Sequence, residues 1–256
     1  MLEIAGQRIS PRLIVLDKDG TLIAFDAMWH AWFEKIIHEI QTQLALKEET
    51  WQALAGTLGF DPHSGEWDPK GPLTMAATSE VALLLASQIY RYEGKDWEEA
   101  LEIVAQAEQR ARAQLLEEDL IQPIGDIQGT LGRLRDAGIL LALATTDDRK
   151  PTERTLKKLG IAPLFATIVC GDDGIPLKPA PDMAQEICQR LGIPPEEAMM
   201  VGDTTADLIM AREAGYRYTV GVTSGAHSAE MLAPYADWVV PNIHAIHVLK
   251  QGEKAK

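Results

Sequence analysis

The strongest constraint on the fold is a regular alternation of short apolar runs and helical segments in the second half of the chain. Four apolar runs predict strands, at residues 139–145, 165–172, 198–203 and 216–225. The helical segments between them end at glycines, which suit the left-handed position that follows a helix: Gly160, Gly192 and Gly215. Strands that alternate with helices form parallel sheets. We therefore predict an α/β core with a doubly wound, Rossmann-like parallel sheet.

A fifth apolar run, residues 12–16, lies far from the other four in sequence. It can find partner strands only in the later sheet, so we expect it to join that sheet. The intervening block has apolar side chains at helical spacing in residues 27–46, 78–94 and 96–119. Within it, residues 59–72 are dense in turn formers and predict a loop. The predicted organisation is a core domain, residues 1–24 and 121–256, with an inserted all-helical cap domain, residues 25–120.

Polar side chains follow the predicted core strands at the point where each strand ends. Asp17 and Asp19 follow the first strand, Thr145 and Thr146 close the second, and Asp203 ends the strand at 198–203. Ligands of open parallel sheets bind beyond these carboxyl ends. Several carboxylates at one place need a cation, and ligand sets made only of oxygen favour a hard ion such as Mg²⁺. The sequence therefore predicts a magnesium site at this edge.

Four further acids lie near the same strand ends, and we interpret them as loop acids and helix caps rather than ligands: Asp147, Asp148, Asp172 and Asp173.

Composition excludes some partners. The formal net charge of −14 argues against binding to nucleic acid or to an anionic membrane surface, because both need a basic face. Neither an apolar run long enough to span a membrane nor a secretory signal is evident. The two cysteines, Cys170 and Cys188, are expected to be reduced thiols. We expect a cytoplasmic protein.

Four sequence motifs resemble those of the haloacid dehalogenase superfamily, in the same order. The segment Asp17-Lys18-Asp19-Gly20-Thr21-Leu22 resembles the first motif, Thr145 the second and Lys178 the third; the segment 202–215, with Asp203 and Asp207, resembles the fourth. A helical block placed after the first motif is similar to the cap of the subfamily that contains phosphoglycolate phosphatases. One departure is that Thr21-Leu22 is followed by Ile23-Ala24-Phe25-Asp26 without the usual Asp-Ser pair.

The resemblance implies four catalytic residues. Asp17 is expected to be the nucleophile that forms an aspartyl-phosphate, and Asp19 the acid and base that serves the leaving oxygen and then the attacking water. Thr145 is expected to bind a phosphoryl oxygen, with the adjacent Thr146 as an alternative. Lys178 is expected to neutralise Asp17 and the phosphate.

The resemblance also implies metal ligands. Asp203 is expected to hold Mg²⁺ together with Asp17 and the backbone carbonyl of Asp19. Asp207 is expected to serve as a ligand or to support Asp203, although it could also be only a first-turn acid favoured by the helix dipole. Gly20 is expected to let the backbone turn close to the bound phosphate.

Three functions stay open at this point. The first is a Mg²⁺-dependent phosphomonoester phosphatase that acts on a small phosphorylated metabolite; an aspartate at position 19 is typical of phosphatases and phosphomutases in this superfamily. The second is a phosphomutase similar to β-phosphoglucomutase, with the same core residues. The third is a non-catalytic binding module that keeps the fold.

Overall fold

The structure, a computed structural model, describes residues 1–117 and 121–249. The chain divides into two compact units. One comprises Met1–Phe25 and the described residues of Pro123–Lys256, and the other comprises the described residues of Asp26–Gln122.

Three short strands begin the chain: β1 (Leu2–Ile4), β2 (Gln7–Ile9) and β3 (Leu13–Leu16). β1 and β2 form an antiparallel hairpin. The two residues between them, Ala5 and Gly6, have φ angles of 47° and 79°, which suit a tight hairpin turn. The sequence did not predict this hairpin, because three-residue strands are too short for a periodic pattern to appear.

The second unit is mainly helical. Its helices are α1 (Phe25–Gln43), α2 (Glu48–Leu58), α3 (Pro72–Met75), α4 (Thr78–Glu93) and α5 (Trp97–Glu117). Gly94 directly follows α4 as its C-cap and is left-handed, with a φ of 66°. Asp96 is the N-cap of α5, because its Oδ1 accepts a hydrogen bond of 2.8 Å from the amide of Glu99.

The prediction that this unit is all-helical, with a loop at residues 59–72, is wrong in one place. Two strands, β4 (Phe60–Asp61) and β5 (Glu66–Trp67), pair there as an antiparallel hairpin. The side chains of the opposed residues Phe60 and Trp67 pack with their ring centroids 4.6 Å apart. Turn residues dominate the segment, and two-residue strands are too short to show an alternating hydrophobic pattern. The hairpin was therefore not predictable from the sequence.

The remainder of the chain alternates helices and strands. The helices are α6 (Ile127–Asp136), α7 (Arg149–Lys158), α8 (Asp182–Leu191), α9 (Thr205–Glu213) and α10 (Ala229–Leu232). The strands are β6 (Leu140–Ala144), β7 (Thr167–Val169), β8 (Ala198–Gly202), β9 (Tyr218–Val222), β10 (Trp238–Val240) and β11 (His247–Val248). The strands β10 and β11 were not predicted.

The main sheet has six parallel strands in the order β10-β9-β8-β3-β6-β7. This confirms the predicted doubly wound core and the predicted place of the first strand within it. β3 lies between β6 and β8, and its four residues are all buried. The chain runs outward from β3 to β7 and then returns to β8 on the other side, so the strand order reverses next to the carboxyl end of β3. A crevice at such a reversal is the usual ligand site of this architecture.

A second, antiparallel sheet joins β11, β1 and β2. The two points where the chain leaves and re-enters the first unit are tied together: Ile23 and Pro123 form an antiparallel bridge, and the amide of Ile124 donates to the carbonyl of Leu22 at 2.9 Å. Among the described helices, none combines the length and the apolar character that a membrane span requires.

Candidate active site

Asp17 lies at the carboxyl end of β3, where the reversal of strand order predicts a ligand site. Its amide donates to the carbonyl of Val201 in the neighbouring β8, at 3.0 Å, which fixes the backbone at this point. Its carboxylate lies in a cluster with those of Asp203 and Asp207, with one oxygen of each within 4.8 Å of the others. All three side chains are buried.

The backbone of β8 and α9 holds the two later acids. Asp203 directly follows β8, and its Oδ2 accepts a hydrogen bond of 2.8 Å from the amide of Ala226. Thr204 is the N-cap of α9, and Asp207 completes a reciprocal capping box: its Oδ2 accepts from the Thr204 amide at 3.1 Å, while the Thr204 hydroxyl accepts from the Asp207 amide. Asp207 is therefore both a first-turn acid of the helix and a member of the buried cluster.

Lys178 supplies a positive charge to this cluster. Its Nζ lies 2.6 Å from Oδ1 of Asp17 and 2.5 Å from Oδ1 of Asp207. Burial disfavours the charged ammonium, but the two carboxylates outweigh it and raise the pKa of Lys178 above its ordinary value. Lys178 thus stays protonated and bridges the end of β3 to the first turn of α9.

The cluster carries more negative charge than Lys178 can neutralise. Burial raises the pKa of Asp17 to about 7. The positive charge of Lys178 lowers this pKa, whereas repulsion from Asp207 and Asp19 raises it further. Burial, and then repulsion from Asp17 and Asp207, also raise the pKa of Asp203 well above its ordinary range. Crowded carboxylates of this kind are stabilised when a cation binds between them.

The residues present fit a divalent metal ion. Oδ1 of Asp203 is buried and has no hydrogen-bond partner among the described residues, so it has a lone pair available to a ligand. The donor set consists only of carboxylate oxygens, which suits Mg²⁺ better than a softer metal. Asp17, Asp203 and Asp207 could therefore hold the ion.

Two glycines make room for Asp203. A Cβ on Gly20 would lie 2.3 Å from Oδ2 of Asp203, and a Cβ on Gly225 would lie 2.0 Å from the same oxygen. Gly20 also has a φ of 76°, in the left-handed region. The motif predicts that Gly20 lets the backbone turn close to the phosphate, whereas the atoms that would exclude a side chain at this position are those of Asp203 and, at 2.8 Å, Cα of Gly225.

The other two predicted catalytic residues lie at the ends of the central strands. Asp19 follows Asp17, and its Oδ2 accepts a 2.6 Å hydrogen bond from Nζ of Lys18. Thr145, at the end of β6, is buried, and its hydroxyl oxygen accepts from the amide of Asp147 at 3.2 Å, so its proton can be donated to a ligand. Thr146 is half-buried in the same loop.

Several residues of this region were missed or interpreted differently in the sequence analysis. Lys18 is buried, although lysine between two acids usually indicates a solvated side chain. Asp147 is also buried, and its Oδ2 lies 3.3 Å from Nζ of Lys18. The other loop acids fit the prediction better: Asp172 accepts from the amide of Arg149, and Asp173 forms an ion pair with the Arg149 guanidinium.

The loop after β9 contributes backbone and small polar groups that the sequence analysis did not single out. The Ser224 hydroxyl donates to the carbonyl of Gly20 at 2.7 Å. Buried His227 accepts from the amide of Thr205 at 3.0 Å through Nδ1. The position of this loop at the carboxyl end of a core strand could have indicated a role in the site. The loop contains no acidic residue, however, and the predicted site was based on acids at strand ends.

With this geometry in place, comparison with known proteins defines the class. A family model described as haloacid dehalogenase-like hydrolase matches residues 11–215. The chain belongs to this hydrolase family, as its motifs predicted.

Individual relatives agree with this class. The chain is 32% identical over 139 residues to a phosphoglycolate phosphatase of Neisseria meningitidis, covering 53% of this chain and 59% of the relative. It is 35% identical over 118 residues to pyrophosphatase PpaX of Bacillus velezensis, covering 46% of this chain and 54% of the relative. The matched regions thus span little more than half the length of these curated relatives.

Solved structures share the fold. A predicted phosphoglycolate phosphatase from Haemophilus somnus superposes with a TM-score of 0.66 at 19% identity, over 91% of this chain and 94% of the other. A putative β-phosphoglucomutase from Thermotoga maritima gives a TM-score of 0.63 at 19% identity, over 91% of this chain and 96% of the other. At this identity the likeness concerns the fold.

Proposed function

We propose that the protein is a Mg²⁺-dependent phosphomonoester phosphatase that acts on a small phosphorylated metabolite through an aspartyl-phosphate on Asp17. The observation that carries the proposal is the contact of one lysine, Lys178, with both Asp17 and Asp207 inside a cluster of three buried carboxylates. Structural stability gives no reason to bury three acids around one lysine, whereas phosphoryl transfer needs this combination of nucleophile and charge.

In the first half of the reaction, Lys178 holds Oδ1 of Asp17, which leaves Oδ2 to attack phosphorus. A bond forms between this oxygen and phosphorus while the ester P–O bond breaks, and the electron pair of that bond passes to the leaving oxygen. Protonated Asp19 gives its proton to this oxygen, so that an alcohol departs rather than an alkoxide. Thr145 and Lys178 donate hydrogen bonds to the transferred phosphoryl group.

In the second half, Asp19 accepts a proton from a water molecule as the water oxygen attacks phosphorus. The bond between phosphorus and Oδ2 of Asp17 breaks, and its electron pair returns to the carboxylate. Inorganic phosphate is released and Asp19 is again protonated, so protons and electrons balance over the cycle.

The proposed metal ligands are Asp17, Asp203 and the backbone carbonyl of Asp19, with Asp207 either binding directly or supporting them. When bound, Mg²⁺ supplies positive charge that draws the anionic phosphoryl group to the anionic nucleophile and balances charge in the transition state. The unpartnered Oδ1 of Asp203 and the raised pKa of Asp17 support this assignment.

The relatives support the substrate class. Those named phosphoglycolate phosphatase or pyrophosphatase share 32–35% identity with this chain, and we propose a small phosphorylated metabolite of comparable size. The net charge of −14 supports the further proposal that the protein binds neither nucleic acid nor an anionic membrane surface. We also propose that it acts in the cytoplasm.

The test is phosphate release from a panel of phosphoglycolate, pyrophosphate, sugar phosphates, nucleoside monophosphates and phosphoserine, with Mg²⁺ and with EDTA. We expect Mg²⁺-dependent release from at least one compound and its loss in Asp17→Asn, which is nearly isosteric but cannot form the intermediate. Sugar-phosphate isomerisation without net phosphate release would instead identify a phosphomutase. Mg²⁺ binding with neither reaction would identify a non-catalytic module.

A further inference from the structure

Lys18 separates the two acids Asp17 and Asp19 in sequence, yet its side chain is only 2% exposed. Its Nζ lies 2.6 Å from Oδ2 of Asp19 and 3.3 Å from Oδ2 of Asp147. An ammonium group removed from water costs several kcal/mol unless carboxylates and hydrogen bonds compensate for it. The fold therefore places a costly charge at one position, between the end of β3 and the loop after β6.

Asp147 is a fixed anchor for this lysine. Its Oδ1 accepts a hydrogen bond of 3.0 Å from the amide of Asp148, its own amide donates to the hydroxyl of Thr145, and its carbonyl accepts from the amide of Gly171 at 2.9 Å. These contacts hold the carboxylate of Asp147 within the loop that also carries Thr145. Lys18 thus connects Asp19 to the loop that is proposed to bind the phosphoryl group.

We propose that Lys18 is a positioning residue that fixes the carboxyl group of Asp19 for proton transfer to the leaving oxygen. The inference rests on the proposed function, in which Asp19 is the general acid. A short aspartate side chain that follows a strand end has several accessible rotamers, and only some of them direct an oxygen at the substrate. Anchoring Oδ2 to Lys18, and through it to Asp147, selects one rotamer and leaves Oδ1 for the proton transfer.

This role predicts a dependence on the leaving group that a purely structural role does not. A phenolate from phenyl phosphate needs a proton as it departs, whereas 2,4-dinitrophenolate leaves without one. The kcat/KM value depends only on the steps up to formation of the aspartyl-phosphate. It is therefore independent of the later hydrolysis step, in which Asp19 acts as a base. The ratio of the two kcat/KM values for one variant is also independent of how much of that preparation is folded.

The experiment measures kcat/KM for both esters with wild type, Lys18→Met and Asp147→Asn. For Lys18→Met we expect a loss of roughly 10- to 100-fold with phenyl phosphate, because small misplacements of catalytic groups cost about that much. With 2,4-dinitrophenyl phosphate we expect a loss of less than about threefold, because proton transfer contributes little there. Asp147→Asn should show the same pattern with a smaller loss.

Arg149→Met is the matched control, because it removes the ion pair to Asp173 near the same sheet edge without removing a contact to Asp19. Its ratio of the two kcat/KM values should equal that of wild type. Equal losses with both esters in Lys18→Met would overturn the positioning role and indicate a structural one, and full activity with phenyl phosphate would also overturn it. Wild type that hydrolyses neither ester nor any compound of the panel would overturn the proposed function together with this inference.

Discussion

Nζ of Lys178 lies 2.6 Å from Oδ1 of Asp17, although 161 positions separate the two residues in sequence. The contact joins the end of the first core strand to the loop before α8, and it is buried from solvent. This contact is central to the site because Lys178 neutralises the carboxylate of Asp17, which the carboxylates of Asp203 and Asp207 repel.

Replacement of Lys178 should damage both stability and activity. Lys178→Met leaves Asp17 and Asp207 buried without their shared cation, and a broken buried ion pair costs about 3–5 kcal/mol. We expect a lower free energy of unfolding in urea and no detectable phosphate release. A Lys178→Met protein that is as stable and as active as wild type would contradict the assigned role of this contact.

Binding of Mg²⁺ should depend on pH because Asp17 must lose its proton to bind the ion. The pKa of Asp17 is about 7 in the folded protein, raised by burial from an ordinary value of 3.8. Apparent Mg²⁺ affinity should therefore rise with pH, by at least about tenfold for each pH unit below about 7, and the raised pKa of Asp203 should add to this dependence. Calorimetric titration with MgCl₂ at several pH values checks this; equal affinity below and above neutrality would contradict it.

The same pKa has a consequence for the metal-free protein. The folded state holds the Asp17 proton more tightly than the unfolded chain does, so the contribution of this group to stability is full below pH 3.8 and is lost as the pH rises to about 7. Mg²⁺ should offset that loss. We expect the increase in melting temperature on addition of Mg²⁺ to be larger above neutral pH than in mild acid, and an increase that is independent of pH would contradict this.

Gly20 and Gly174 form a matched pair that separates backbone strain from crowding of the metal site. Their φ angles are 76° and 74°, but a Cβ on Gly20 would meet Oδ2 of Asp203 at 2.3 Å, whereas a Cβ on Gly174 meets nothing within 4 Å. Gly174→Ala should cost about 1–2 kcal/mol of stability, from the left-handed backbone alone, and keep Mg²⁺ binding. Gly20→Ala should cost more and weaken Mg²⁺ binding; equal effects in both assays would show that Asp203 does not need this space.

The ion pair between Arg149 and Asp173 should stabilise the fold except in acid. Partial burial raises the pKa of Asp173, but the hydrogen bonds from Arg149 prevail and lower it below its ordinary value. A lowered pKa gives stability that is present above the unfolded value of 3.8 and is lost as the pH falls through the folded value. Asp173→Asn should be less stable than wild type by about 1–2 kcal/mol at neutral pH, and the difference should shrink at acid pH in denaturant titrations. A difference that does not change with pH would contradict this.

The parallel core was predictable because its strands are apolar runs buried on both faces, separated by helices that end at glycines. β3 illustrates why this worked: four consecutive apolar residues can be satisfied only in the interior of a sheet. The strands that were missed, such as β1 and β4, are two or three residues long. Pairing with a neighbouring strand stabilises them, and their own sequences are too short to show an alternating hydrophobic pattern.

The convergence of Asp17 and Asp203 could also be predicted from the sequence, because both directly follow core strands and the carboxyl ends of parallel strands share one edge. The environment of Lys18 did not follow. One carboxylate beside its buried ammonium group belongs to Asp147, which lies 129 positions later (147 minus 18), and no local sequence pattern indicates that distant contact. Likewise, the need for glycine at position 20 arises from Asp203 rather than from the turn alone.

The most direct test of the proposed mechanism is to trap the phosphorylated enzyme. Asp19→Asn mixed with 2,4-dinitrophenyl phosphate and Mg²⁺ should form the aspartyl-phosphate, since this leaving group needs no acid, but should hydrolyse it slowly, since the base is missing. Acid quenching and peptide mass spectrometry should then find phosphate on Asp17, in an amount equal to the initial burst of dinitrophenolate. A burst without phosphate on Asp17, or phosphate on another residue, would contradict the account.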